Sequence, residues 1–321
     1  MIAVVAAVAS SDSTARPALC EEPTIASAAE VRSTRGELVS YIWGSSPAYP
    51  SDLRPQVAAV PIPPLFADLT GIGTVEQLTF VQQRGLIART YLLRAAKRTR
   101  RTLVVYHEGH IGRFQKGMPT IQFFLSHGYD VATVAMPLYR PNNRPNGWFD
   151  HARLNSLPRG GFDVFLDPAI GVLNRYAPQY ESVAMVGLSG GGWATVMVAA
   201  LDRRVTRSYH VSGTLPHCMW HGTDTNPLDY ESTWPPLYMR AGFLDLYVLG
   251  AESRRQVQVQ NVYDFGFRGR ASKTYEPAVN EALARVGSGS FRAVLDTTIR
   301  RKHIISPWAL EWILRDLRNL G

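Results

Sequence analysis

The sequence predicts an α/β fold, a mostly parallel twisted sheet with helices on both faces. Three observations carry this. A hairpin pattern comes first, at 76–93. From residue 102 onward, short β-branched apolar runs alternate with segments of helical period. Those runs are apolar throughout rather than alternating, as strands buried on both faces must be. The chain has 321 residues, 45% of them hydrophobic, enough for a substantial core. Only 19% are charged, which excludes a largely disordered chain.

The elements follow in order. Residues 10–35 are rich in Ser, Ala, Thr and Pro without a clear period, and read as a leader or surface arm. The remainder, 36–321, reads as one domain. Residues 45–68 carry six prolines and read as a wrap over that domain. Leu78 and Phe80 alternate with polar neighbours, Arg84-Gly85 turns the chain, and Ile87, Arg89, Tyr91 and Leu93 mark the returning strand. Thr102–Tyr106, Asp130–Met136 and Ser182–Val186 read as buried strands, and Arg207–Val211 as another short strand. Between them, Ile121, Phe124 and Leu125 have helical spacing before Gly128, and Asp167-Pro168 reads as an N-cap and first-turn pair. After the sixth strand, 214–250 breaks the rhythm with prolines and tryptophans and reads as a cap-like insertion. Gln256–Tyr263 and Phe291–Asp296 resume as strands, and Ser306-Pro307 opens a last helix.

Composition narrows the partners. The formal charge is +8, carried almost wholly by arginine. No zinc-finger spacing, RNA-binding motif or basic-helix heptad accompanies it, so the charge reads as solvated surface and nucleic acid is not an expected partner. No window approaches the roughly 20 apolar residues of a membrane span. Cys20 and Cys218 are too few for a disulfide framework or a zinc cluster, and whether they pair stays open. Ile2–Ala9 is a short apolar run, and Ala7-Val8-Ala9 resembles a small-residue cleavage site. A positive start is missing, and the reading tilts only towards export.

The strongest local signal is Gly187-Leu188-Ser189-Gly190-Gly191, which fits G-x-S-x-G. It follows an apolar strand and opens a small-residue helix. Such a strand–turn–helix holds a serine in a strained conformation and lifts its hydroxyl above the sheet. The next amide, from Gly190, can face a developing oxyanion. A glycine-rich helix start that packs tightly or binds phosphate is the plainer alternative.

With this motif in that context, the chain over about 75–321 resembles the α/β-hydrolase superfamily. The resemblance implies three further assignments. Tyr106-His107-Glu108-Gly109-His110 follows the third strand and resembles the superfamily's oxyanion loop, with an amide of Gly109 or His110 as second donor. Glu108 departs from that pattern, where glycine is common. Asp264, after the strand at 256–263, would be the acid that orients the base, with Asp229 and Glu231 of the insertion as rivals. An ordinary turn aspartate is its plain alternative. His303, between the last strand and the last helix, would be the base. Ser189, Asp264 and His303 then follow the superfamily's order. A serine hydrolase is implied, acting through an acyl-serine intermediate on a small-molecule ester, with amides open.

No cofactor is expected. His107-Glu108-Gly109-His110 is one residue short of H-E-x-x-H, so no metal is expected either. Two other readings stay open at this point: a non-catalytic binding protein on the same fold, and a metallohydrolase using His107 and His110. His151 reads as a pocket or loop residue, and His217 and His221 as surface or pocket residues.

Overall fold

The computed structural model describes residues 21–44, 49–110, 114–142, 151–219, 229–264, 266–267 and 269–318. The apolar run 2–9, Cys20, His221 and the middle parts of the 137–158 loop and of the 214–250 insertion lie outside them. The elements are α1 (Ala28–Trp43), β1 (Gln56–Val60), β2 (Ile72–Val81), β3 (Ile87–Ala95), β4 (Thr102–His107), α2 (Met118–Ser126), β5 (Asp130–Val134), α3 (Phe162–Tyr176), β6 (Ser182–Leu188), α4 (Gly190–Leu201), β7 (Val205–Val211), α5 (Tyr230–Thr233), α6 (Pro235–Tyr238), α7 (Phe243–Ala251), β8 (Arg255–Asn261), α8 (Ser272–Val286), β9 (Ser290–Asp296) and α9 (Pro307–Arg318).

The strands form one nine-stranded sheet in the order β1-β2-β3-β5-β4-β6-β7-β8-β9. The first three and the β3–β5 pair are antiparallel, and every pair from β5 to β9 is parallel. This is the mostly parallel sheet the sequence predicts. Its period of two divides the core. Leu103 and Val105 of β4, with Val183 and Met185 of β6, face the cluster covered by α3, α4, α7 and α8. Val104, Tyr106, Ala184 and Val186 face the opposite cluster, under α2 and α9. Strands buried on both faces cannot alternate, which is why these runs are apolar throughout.

β4 pairs with β5 on one side and β6 on the other. The chain therefore leaves β4 in one direction and returns on its other flank. The carboxyl ends of β4 and β6 form the switch point where such sheets open a crevice.

Four expectations need correction. Residues 28–35, read as arm, are the first two turns of α1. Ser27 caps it and exchanges hydrogen bonds with Glu30, and Val31, Leu38, Val39 and Ile42 are buried. Alanines, serines and arginines between those positions blur the period. Within the wrap at 45–68, β1 is an edge strand bracketed by Pro55 and Pro61, which an edge tolerates because one side needs no ladder. With β1 counted, the insertion follows the seventh strand.

Asp167-Pro168 does not open a helix. α3 begins five residues earlier and carries Pro168 inside. A proline there deprives the carbonyl of residue 164 of its N–H partner. Gln82 Nε2 donates to Val164 O instead, at 3.0 Å, and Trp43 Nε1 donates to Asp167 at 2.8 Å. Finally, the end of the 214–250 insertion is not cap. Every residue of α7 is buried, and the helix packs on the sheet at β8 and β9, with Tyr247 stacked on Phe291. Cys218 is disulfide-bonded.

Candidate active site

Ser189 sits between β6 and α4 at φ 58°, ψ −127°. A non-glycine residue there carries about 1–3 kcal/mol of strain, which the surrounding structure must hold. Ser189 N–H donates to Val211 O at 3.0 Å, and Ser189 O accepts from Trp193 N–H at 3.0 Å. Glycine is required next to it: a Cβ on Gly191 would overlap the His107 carbonyl of β4. On the β4 side, a Cβ on Gly109 would come within 2.8 Å of both Leu188 O and Ser189 Cβ. The segment after β4 and the serine turn are thus in close contact. Gly190 is the first residue of α4, where amides lack intrahelical acceptors.

Glu108, the residue that departs from the superfamily pattern, is fully buried. Gly117 N–H, at the start of α2, donates to its Oε2 at 2.9 Å. Burial raises the Glu108 carboxyl to about 7, against the lowering pull of the Gly117 and Gly109 amides.

Asp264 and His303 lie beyond the carboxyl ends of β8 and β9 and meet. His303 Nδ1 is 2.7 Å from Asp264 Oδ2. Asp264 Oδ1 accepts from the Gly266 and Phe267 amides at 2.8 and 3.2 Å. Burial pushes the Asp264 carboxyl up, but the His303 bond and those two amides outweigh it and hold it below its ordinary value. Phe267 stacks on the His303 ring, centroids 5.8 Å apart at 13°. Asn261 Nδ2 donates to Lys302 O at 2.7 Å and pins the loop ahead of His303.

The rivals to Asp264 go elsewhere. Glu231 is buried with its carboxylate against two other imidazoles: Oε1 is 2.8 Å from His110 Nε2, and Oε2 is 3.1 Å from His151 Nδ1. Asp229, more than half exposed, lies 3.3 Å from His110 Nδ1. Burial would raise the Glu231 carboxyl, but His151 and His110 outweigh it and hold it well below the usual carboxylate range. Burial lowers His110, yet Glu231 and Asp229 carry it up to about 9. The His110 ring packs over Gly190, where a Cβ would run into it. Tyr238 links this cluster to α4: its hydroxyl accepts from Trp193 Nε1 and donates to Glu231 O, both at 2.8 Å.

His107 stays apart from this cluster. Its ring is buried, with Nδ1 2.9 Å from Glu108 O, and burial lowers it to about 4. The pairing of His107 with His110 as metal ligands therefore does not form. His217 bonds to Ser232 O at 2.7 Å. The grouping of His110, His151 and Glu231 is what sequence reasoning missed. Nothing in the sequence joins the three, because their contacts span 41 and 80 residues, beyond any local pattern.

No known family pattern matches the chain, and no curated protein matches its sequence. Solved structures do match. Acetyl xylan esterase 1 from Thermoanaerobacterium superposes with a TM-score of 0.56 at 11% identity, covering 92% of this chain and 94% of that one. An acetyl xylan esterase from Paenibacillus gives 0.54 at 16%, covering 95% and 96%. The Pyrococcus furiosus esterase Pf2001 gives 0.54 at 10%, covering 82% and 96%. Likeness at such low identity is a likeness of fold, and the fold of this chain is the α/β-hydrolase fold.

Proposed function

We propose that this protein is a serine esterase, with Ser189 as nucleophile, His303 as general base and acid, and Asp264 as the carboxylate that orients His303. The observation that carries the reading is the strained turn at Ser189, a conformation maintained at the switch point of the sheet where substrates of such folds are held. The Asp264–His303 bond on neighbouring strand ends supports it. In the proposed reaction His303 takes the Ser189 proton while Oγ bonds to the ester carbonyl carbon. The oxyanion is met by the amide of Gly190 and by that of Gly109 or His110. The C–O bond then breaks, and the alcohol leaves with the proton from His303. Water, deprotonated by His303, attacks the acyl-serine and releases the acid.

Esterase neighbours, two of them acetyl xylan esterases, support an ester as the substrate class. Acetyl esters, including those of carbohydrates, are therefore the first substrates to test, beside matched amides. The decisive experiment is fluorophosphonate labelling of wild type and Ser189→Ala, with acetyl-ester hydrolysis in parallel. Labelling of wild type alone is expected. Equal labelling of both, or none of either, would overturn the proposal and favour a binding protein on this fold.

A further inference from the structure

We infer that the side chains of His110, His151 and Glu231 form a binding site for a divalent transition cation of the zinc class, beside the serine turn and apart from the side chains of Ser189, His303 and Asp264. Their donor atoms converge within 4.8 Å of one another. The three separations are 2.8 Å for His110 Nε2 to Glu231 Oε1, 3.1 Å for His151 Nδ1 to Glu231 Oε2, and 3.3 Å between the two ring nitrogens. Zinc bonds of about 2.0–2.1 Å at tetrahedral angles place neighbouring donors about 3.3 Å apart. The two ring nitrogens are at that spacing, and each lies slightly inside it from one Glu231 oxygen.

The outer nitrogens are arranged as metal-binding histidines require. His151 Nε2 lies 3.0 Å from Pro137 O, so it carries a proton, and the inward Nδ1 is left as the donor atom. His110 Nδ1 faces Asp229, the carboxylate–histidine arrangement that orients a ligating ring. Without a cation the inner contacts are poorly satisfied. Two unprotonated inner nitrogens would set lone pairs against each other and against a carboxylate. Two protonated ones would set N–H against N–H at 3.3 Å. A single proton on His110 Nε2 has both Glu231 Oε1 and His151 Nδ1 as acceptors and can align with only one of them. Glu231 Oε1 shows the misfit: it is buried and close to His110 Nε2, but makes no hydrogen bond. One cation at the centre satisfies all three donors and leaves a fourth position for water. Two imidazoles and one carboxylate select a transition ion over calcium or magnesium, which take oxygen ligands. A bound ion would tie the oxyanion loop, the start of the 151–161 segment and the chain entering α5 into one body.

The test does not depend on the esterase reading, because zinc content and melting temperature are read without substrate. Chelator-stripped full-length protein is dialysed against micromolar zinc and compared for wild type, Ser189→Ala, Glu231→Gln and His110→Gln. The expected result is one zinc per chain and a raised Tm for wild type and Ser189→Ala. Glu231→Gln and His110→Gln should bind zinc at least about 10–100-fold more weakly, since even outer-shell losses cost that much. Calcium and magnesium should leave Tm unmoved. His110→Gln alters a side chain that is partly exposed, and keeps the test valid if Glu231→Gln fails to fold. Failure of wild type to take up stoichiometric zinc, or equal uptake by all four proteins, would overturn the inference.

Discussion

Two histidine–carboxylate clusters stand at the carboxyl ends of the strands, and they are built differently. In one, Asp264 gives a single oxygen to a single ring nitrogen of His303 and anchors its other oxygen in a turn. In the other, both oxygens of Glu231 are set against imidazoles, and those imidazoles are held from behind by Pro137 O and Asp229. The first arrangement orients one ring and leaves the chemistry to that ring's far side. The second closes on itself. A carboxylate with one partner can tune a base, whereas one enclosed by two rings serves to hold chain segments together.

The comparison is open to breakage in five places, from largest effect to smallest. Ser189→Ala should cut kcat for ester hydrolysis by about 10⁴–10⁶-fold with the fold intact by circular dichroism, since removal of such a serine leaves only binding and the oxyanion donors. Asp264→Asn should cost about 10⁴-fold in kcat, because the amide favours the wrong His303 tautomer. Its denaturation midpoint should fall less than that of Glu231→Ala. Glu231→Ala should show the converse, a stability loss of about 3–5 kcal/mol by urea titration, as expected when a buried charge pair loses one member. A fall in kcat of the Asp264→Asn size with no change in stability would move Glu231 into the catalytic set.

Acid sensitivity sharpens the same contrast. The Asp264 carboxyl is held below its ordinary value in the folded protein. Its contribution to stability is therefore complete above about pH 3.9 and is lost as pH falls through the lower folded value. Wild type should lose stability more steeply than Asp264→Asn below about pH 4, measured by denaturant titration at stepped pH. Parallel curves would mean that His303 gives the carboxylate no special stabilisation. Smallest of all, Asp229→Asn should change stability by less than about 1 kcal/mol, because its side chain is 55% exposed and its attraction to His110 is screened.

Much of this was legible in the residues. Leu103–Tyr106 and Val183–Val186 declare themselves as doubly buried strands because every position in them is apolar. The serine turn is legible because its requirements are local: small residues where β6 and α4 approach β4. Ser306-Pro307 opens α9 as the pattern predicts, with Ser306 Oγ accepting from Ala309 N–H. What stayed hidden depends on partners far along the chain. β1 is a strand because β2 lies beside it. Pro168 is tolerated in α3 because Gln82, more than 80 residues earlier, meets the carbonyl at 164.

The same division runs through the candidate site. The order Ser189, Asp264, His303 and the strand–turn–helix around Ser189 are properties of the sequence alone, because spacing along the chain and local backbone demands produce them. The choice among three carboxylates is not. Asp229, Glu231 and Asp264 all lie between Ser189 and His303, and linear order cannot rank them. Tertiary structure does, since a hydrogen bond needs donor and acceptor within about 3.2 Å, and folding brings Asp264 to His303 while it sends Glu231 to His110 and His151.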